Sequence, residues 1–495
     1  MNLRAKLAVG LLVVVAAPVV QAQSIDEALR LYKGRDYEEA ARAFYDVLSH
    51  DANPDRRDQA TIYLAETLRK MGLLFPALYY YSYVFEAGRT NRYYLNAVDG
   101  LLGLQQELHD PFWVPKSLDE KLDPEGFGQL DADKIAQINY LVGELSFWRR
   151  KDRDARAFLE FVPPESQLYG KARYLLGILA VRANNPDKAG EHFATVLKAV
   201  DPETPREELQ AVRSLALLGA ARNAYGKGRY KEATEYYAQV PRFSESWFYA
   251  IYENAWATFR QEEYGLALGE LQSALSPYFA KRHAPEAYVI QGTSYFANCQ
   301  WDRVRRAVAK YKETYEPMLA QLEQYLKTKR PAQEIYGDVV RDGGNKVSAE
   351  LAREVRSSKR FKDYHHMLTH IAWERQQIES IKEWRKSRLV EDIKVFLKDY
   401  ESGTEQLAGA WGLKRLRELR DLLQTFQNQI NILDFEVTDA ERLWLEQGRE
   451  ILKGRRARVP RPDIPNDQWQ HWSFDREYWK DELGYIQHSL RSECF

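Results

Sequence analysis

The sequence predicts an all-α chain: a solenoid of short helix pairs, then a long antiparallel helical hairpin, then an aromatic-rich tail. Three observations predict this. A unit with a small residue, a turn, an alanine, and then an aromatic or leucine at fixed offsets recurs through residues 24 to 317. Its best-matched alanines, Ala233 and Ala267, lie 34 residues apart. Beyond Pro317 the apolar rhythm shifts, and Leu416, Leu419, Leu423, Phe426, Ile430 and Leu433 step by threes and fours as a heptad seam does.

The N-terminus comes first. Met1 to Lys6 carries Arg4 and Lys6, Leu7 to Val20 is apolar apart from Gly10 and Pro18, and Val20-Gln21-Ala22 places small residues at minus three and minus one. That is the layout of a secretory signal peptide over 1–22, cleaved after Ala22. The alternative is an uncleaved anchor, but the run falls short of the ~20 residues a bilayer span needs and Pro18 interrupts it. No cysteine follows to carry a lipid, and no later stretch is apolar enough to span. The expected location is the periplasm, with any association with the outer membrane made through partners.

The helix pairs follow. In 23–104, Ala28, Tyr32, Gly34, Tyr37, Ala40, Phe44, Val47 and Leu48 form an opening unit; Leu64, Ala65, Leu68, Gly72, Ala77, Tyr81 and Val84 form a clearer one. Residues 105–132, with Pro111, Pro115 and Pro124, read as an irregular connector. In 133–317, Gly143, Ala155, Leu159 and Val162 make a degraded unit closed by Pro163-Pro164. Leu176, Gly177, Ala180, Ala189, Phe193, Val196 and Leu197 make a full one, as do Ala220, Ala221, Ala224, Gly228, Tyr230, Ala233, Tyr237 and Val240, and then Ala255, Tyr264, Ala267, Leu271, Ala274 and Leu275. Gly292, Tyr295, Val304, Val308 and Tyr311 close the array; Val304 stands where alanine is expected, so looser packing is expected there. Small residues let paired helices approach, aromatics fill the space between pairs, and one pair alone cannot bury its apolar face.

These units resemble the tetratricopeptide repeat family over most of residues 24 to 317. The resemblance implies a right-handed superhelix with first helices lining a concave face, and a chain that binds protein rather than catalysing. Carried over position by position, it puts ligand-facing residues at Ile62, Glu66, Arg69 and Lys70; at Tyr174, Ile178 and Arg182; at Leu218, Arg222 and Tyr225; at Tyr252, Trp256 and Arg260; and at Val289, Thr293 and Phe296. Arginines interleaved with aromatics suit an extended peptide. Some of these aromatics could instead pack between neighbouring helices.

The C-terminal part reads as a hairpin over 318–458. Lys346 to Asp399 is expected as one long helix, Tyr400-Glu401-Ser402-Gly403 as its turn, and the heptad seam as the returning helix. Residues 459–495 hold the end of a basic, proline-broken linker, Arg455 to Pro462, and a tail with Trp469, Trp472, Phe474, Tyr478, Trp479 and Tyr485. Such a tail either caps the protein's own hydrophobic surface or docks a partner.

Composition excludes several classes. A net charge of -1 gives no footprint for nucleic acid, and 45% hydrophobic residues suffice for a packed core. His366, His370 and Glu374 share a helix face, but two histidines without a further ligand do not make a metal site. Gly343-Gly344 lacks the lysine of a phosphate loop, and no Gly-x-Ser-x-Gly occurs. Tyr79 to Tyr81 and Tyr93-Tyr94 read as packing aromatics. No cofactor, metal or small-molecule substrate is expected. Cys299 and Cys494 could pair in an oxidising compartment or stay apart.

The expected function is a non-enzymatic scaffold for other envelope proteins or peptides. The order of signal peptide, degenerate repeats and helical C-terminal arm resembles the periplasmic repeat subunits of myxobacterial-type gliding-motility machinery. A component of polysaccharide export or outer-membrane assembly is a second reading; an enzyme regulator or hydrolase within residues 318 to 495 is a third.

Overall fold

The structure, a computed structural model, describes residues 24–341, 346–446, 464, 466–472 and 477–494. The signal-peptide segment, Gly343-Gly344, the basic linker and Phe474 lie outside them. Among the described residues there is no strand, and no helix is long and apolar enough to cross a membrane. The described residues fall into two compact units, one within 1–104 and 371–399 and one within 105–370 and 400–495.

The first unit begins with α1 (Ile25–Lys33), α2 (Tyr37–His50), α3 (Pro54–Lys70), α4 (Leu74–Glu86) and most of α5 (Tyr94–Leu108). Ser24 caps α1 by accepting from the Glu27 N–H, and Asn53 caps α3 ahead of Pro54. Phe44 and Tyr63 stack at 5.6 Å, with Tyr32 edge-on to Tyr63. Residues 371–399 complete the unit. Trp384 is fully buried and donates to the Glu38 carbonyl at 3.0 Å; Phe396 stacks on Tyr79; the Tyr45 hydroxyl donates to Asp392. Glu374 is buried and caps α4, its Oε1 accepting from the backbone N–H of Leu74 (2.5 Å) and Phe75 (3.0 Å). That role explains an acid on the face shared with His366 and His370.

The second unit continues with α6 (Trp113–Glu120), α7 (Pro124–Phe127), α8 (Ala132–Trp148), α9 (Asp152–Glu160), α10 (Tyr169–Arg182), α11 (Pro186–Ala199), α12 (Glu207–Gly226), α13 (Tyr230–Ala238), α14 (Trp247–Arg260), α15 (Tyr264–Ala274), α16 (Glu286–Phe296) and α17 (Trp301–Lys327). From α8 onward these pack as consecutive pairs. Phe193 on α11 wedges between first helices: a Cβ on Gly177 or on Gly219 would meet its ring at 2.6 or 2.7 Å. The same turn joins the pairs throughout the chain. Arg35, Gly72, Arg150, Asn184, Gly228, Glu262 and Cys299 all sit in the left-handed region, with φ from 53° to 78°. In each, that residue's N–H bonds the carbonyl three back and the next N–H bonds the carbonyl five back, a Schellman closure of the first helix.

Several expectations are corrected. The 105–132 connector is largely helical: His109 makes the same left-handed turn, and Asp110 caps α6 by accepting from the N–H groups of Phe112, Trp113 and Val114. Pro115 and Pro124 occupy early helical positions that tolerate them, and Pro111 precedes α6. Pro317 is no boundary, because α17 runs through it on the buried stripe Val304, Val308, Tyr311, Tyr315, Leu319 and Leu322. Packing is not loose at Val304, which is fully buried.

The hairpin is also replaced. The segment 346–399 divides into α19 (Ala349–Ser357), after α18 (Ala332–Val340), then α20 (Lys359–Ser380) and the start of α21 (Arg388–Glu446). Ser358 and Ile381 break it with extended backbone. The expected turn at 400–403 is helical, inside a 59-residue α21. Gly403 is there for close packing: a Cβ would meet the Trp113 ring at 2.7 Å.

Candidate peptide-binding groove

The groove residues inferred from the repeats turn out to tie neighbouring repeats together. In the second unit, Arg182 on α10 reaches back to Asp152 on α9 at 3.0 Å, donates to the Phe147 carbonyl, and lies 3.9 Å over the Phe147 ring. Arg222 on α12 makes a two-pronged contact with Glu253 on α14, at 2.7 and 2.5 Å, and Glu253 also accepts from Tyr237. Tyr252 and Trp256 on α14 both donate to Glu286 on α16, at 3.2 and 2.9 Å. Burial raises the Glu286 carboxyl above its ordinary value against those two donors. Tyr174 lies against Phe193, Tyr225 against Tyr230, and Arg260 over Tyr230. In the first unit Arg69 occupies the space beside Gly103, and Lys70 is exposed. These arginines and aromatics are engaged within the protein.

Part of the second unit's helix array is covered by the chain itself. Leu416, Leu419, Leu423, Ile430 and Leu433 on α21 form one core with Val289, Tyr311 and Tyr315, and Trp256 and Phe296 pack against it. Leu433 fills the space left by Gly292. Polar ties line the edges: the Tyr311 hydroxyl donates to the Leu423 carbonyl, Lys312 pairs with Asp434, Gln427 donates to Glu316, and Arg305 pairs with Glu441. The heptad leucines thus seal α21 to α16 and α17 rather than to a hairpin partner.

The chain's end packs against the same unit. Leu483 is fully buried against Trp247 and Ile251, and Tyr478 packs beside it. The Gly484 N–H donates to the Ser273 hydroxyl and the His488 N–H to the Gly265 carbonyl, both at 2.9 Å. A Cβ on Gly269 would overlap the Ile486 carbonyl oxygen. Cys494 is joined to Cys299, with Cα atoms 5.2 Å apart. Trp472, Trp479 and Tyr485 remain exposed.

A cleft of about 910 Å³ lies between the length of α8, the leading ends of α10 and α12, and the start of α20. Tyr140, Glu144 and Trp148 form one wall, Lys171 and Glu208 another, and Lys359, Arg360 and Asp363 the third. Burial pushes the Tyr140 phenol well up, so it stays protonated. Lys171 pairs with Glu208 across the mouth. Trp148 is held by the edge of Trp411 at 5.2 Å and by Arg360, 5.1 Å over its ring. Sequence reasoning passed over Arg360 and Trp148, since neither lies at a repeat position and their approach depends on α20 folding back. Among the described residues no cluster of His, Cys, Asp or Glu could hold a metal ion.

No family model matches the chain, and no curated protein matches it. Among solved structures, it is similar to a tetratricopeptide repeat protein from Parabacteroides merdae, at 15% identity over 58% of this chain and 91% of that one, TM-score 0.27. It is also similar to the P58(IPK) TPR domain, at 14% identity over 76% of this chain and 98% of that one, TM-score 0.18. Scores this low carry no weight in the assignment; the chain's own helix pairs, turns and small-residue contacts do. By those features the described residues are mainly helical and form an array of helix pairs that resembles tetratricopeptide repeats.

Proposed function

We propose that this protein is a non-enzymatic scaffold that works outside the cytoplasm and holds a segment of another protein in the cleft between α8, α10, α12 and α20. The observation that carries this is the cleft of about 910 Å³ walled by α8, α10, α12 and α20, while α21 shares a leucine core with α16 and α17. Surfaces of this size and mixed polarity take several residues of a peptide. The location follows from the N-terminal layout and is supported by the Cys299–Cys494 bond, which suits an oxidising compartment. The narrower reading, a subunit of an envelope machine of the gliding-motility kind, draws only on the order of leader, repeats and helical C-terminal part.

A photo-crosslinking residue at Gln167, exposed on the cleft wall, tests the site against the same residue at Lys231 on α13. In native envelope extracts the expected result is a discrete adduct from position 167 that Lys171→Glu removes. Equal labelling from both positions defeats the assignment. Fractionation and sequencing of the mature N-terminus test the location.

A further inference from the structure

We propose that the tail is an exchangeable strap, and that the surface beneath it, on α15 and the turn between α16 and α17, accepts the tail of a second copy of this chain through thiol–disulfide exchange at Cys299. The surface holds its occupant chiefly by the backbone. Arg242 Nη2 donates to the Asp481 and Leu483 carbonyls, at 2.9 and 3.1 Å. The Ser273 hydroxyl and the Gly265 carbonyl accept the N–H groups of Gly484 and His488. Farther along, Gln300 donates to the Arg491 carbonyl at 2.8 Å, and the Asn298 carbonyl accepts from the Glu493 N–H at 2.9 Å. Gly265, Gly269 and Ser273 lie four residues apart, on one face of α15. A Cβ on either glycine would run into a tail carbonyl oxygen, that of His488 or of Ile486. Glycine inside a helix weakens it, so two of them at this spacing mark a face shaped to an extended chain lying on it.

The tail's own sequence says which occupant fits. Leu483 is its fully buried anchor. Gly484 follows at φ 84°, where a Cβ would come within 3.2 Å of the Trp247 ring. The surface therefore asks for a leucine–glycine step and, beyond it, the cysteine that reaches Cys299; every copy of this chain carries both. Residues 447–476 join α21 to the strap, and a connection of about 30 residues can span at most roughly 100 Å, enough to deliver a tail to a neighbouring molecule. Cys494 is exposed, so a thiol can approach the bond. The exchange balances without an outside oxidant or reductant. The thiolate of the incoming Cys494 attacks the Cys299 sulfur, a new S–S bond forms as the old one breaks, and the resident Cys494 leaves as a thiolate that takes up a proton. The donor is a copy whose own bond has not closed. The tail it displaces carries a free thiol and becomes the next donor, so copies are joined head to tail.

The test mixes two full-length forms. The receiver is the oxidised wild type without label. The donor is Cys299→Ser carrying a heavy-isotope label, whose Cys494 thiol is free and cannot close on its own chain. Non-reducing digestion and mass spectrometry should find labelled Cys494 joined to unlabelled Cys299, with an equal amount of unlabelled Cys494 as free thiol. A donor that also carries Leu483→Asp keeps the thiol but loses the anchor, and should exchange about tenfold or more slowly. A synthetic peptide of residues 477–494 and its Leu483→Asp form repeat the comparison without relying on the fold of a donor variant. Equal rates for the two donors overturn the proposal. So does labelled Cys494 joined to unlabelled Cys494, which is attack on an exposed sulfur with no tail seated. Absence of any mixed pair, from chain or from peptide, overturns it as well.

Discussion

Replacing Gly269 by alanine should reverse its effect according to whether the tail is present. In the interior of a helix, glycine to alanine ordinarily stabilises by about 0.5–1 kcal/mol, through backbone entropy. Here the added methyl meets the Ile486 carbonyl oxygen, a backbone atom that cannot rotate away. The tail must lift from α15, and with it go the bonds from Gly484 to Ser273 and from His488 to Gly265, and the burial of Leu483. Hydrogen bonds contribute about 1 kcal/mol each, and a fully buried leucine about 2 kcal/mol, so the tail's hold should weaken by roughly 2–4 kcal/mol. In a chain ending before Glu477 with Cys299→Ser, the same substitution should stabilise by up to about 1 kcal/mol. Denaturant melts of the four proteins read the sign, and limited proteolysis within 477–494 under reducing conditions reads tail release directly. A Gly269→Ala chain whose tail stays protected, or an equal effect in both backgrounds, refutes the reasoning.

Glu270 accepts from Asn254 and from Thr258, and burial pushes its carboxyl up to about 8. A folded pKa above the unfolded value of about 4.5 means the neutral form stabilises the fold. That contribution is complete below about pH 4.5 and is lost as pH rises through about 8, so melts at pH 5 and pH 9 should differ by a few kcal/mol more in the wild type than in Glu270→Gln. Glu374→Ala removes the cap of α4 and should cost ~1–3 kcal/mol, with faster hydrogen exchange at the Leu74 and Phe75 amides. A double-mutant cycle on Arg222 and Glu253 should give a coupling of ~0.5–1 kcal/mol, because the arginine side chain is 52% exposed. Replacing Arg182, Arg222 and Arg260 together should therefore lower the melting temperature, an outcome opposite to that expected of free ligand-binding arginines.

The repeats were legible because their signal is local: an alanine or glycine opposite an aromatic within one helix pair reports its own packing. Whether the side chains at the expected groove positions were free or engaged was not legible. The acids that hold Arg182, Arg222 and the Tyr252–Trp256 pair are Asp152, Glu253 and Glu286, about one repeat away, and they read as ordinary surface residues. Glycine misled in both directions. Gly403 read as a turn but marks the approach of Trp113, while Gly265 and Gly269 gave no hint that the tail would lie on them. The heptad seam was real as a buried stripe, but periodicity cannot name what covers a stripe. The cleft was illegible, since Arg360 and Trp148 are 212 residues apart and meet only in the folded chain.

The shared left-handed turn has a consequence for how much stability this array holds in reserve. Glycine occupies that position only at Gly72 and Gly228 among the helix-pair turns; Arg35, Arg150, Asn184 and Glu262 hold a conformation their side chains disfavour. Each is a site where a glycine swap could firm the fold without touching any groove. Cys299 is the exception, since there the same swap would also cut the chain's one covalent cross-tie, and a strained backbone is the cost of keeping the end of the protein fastened.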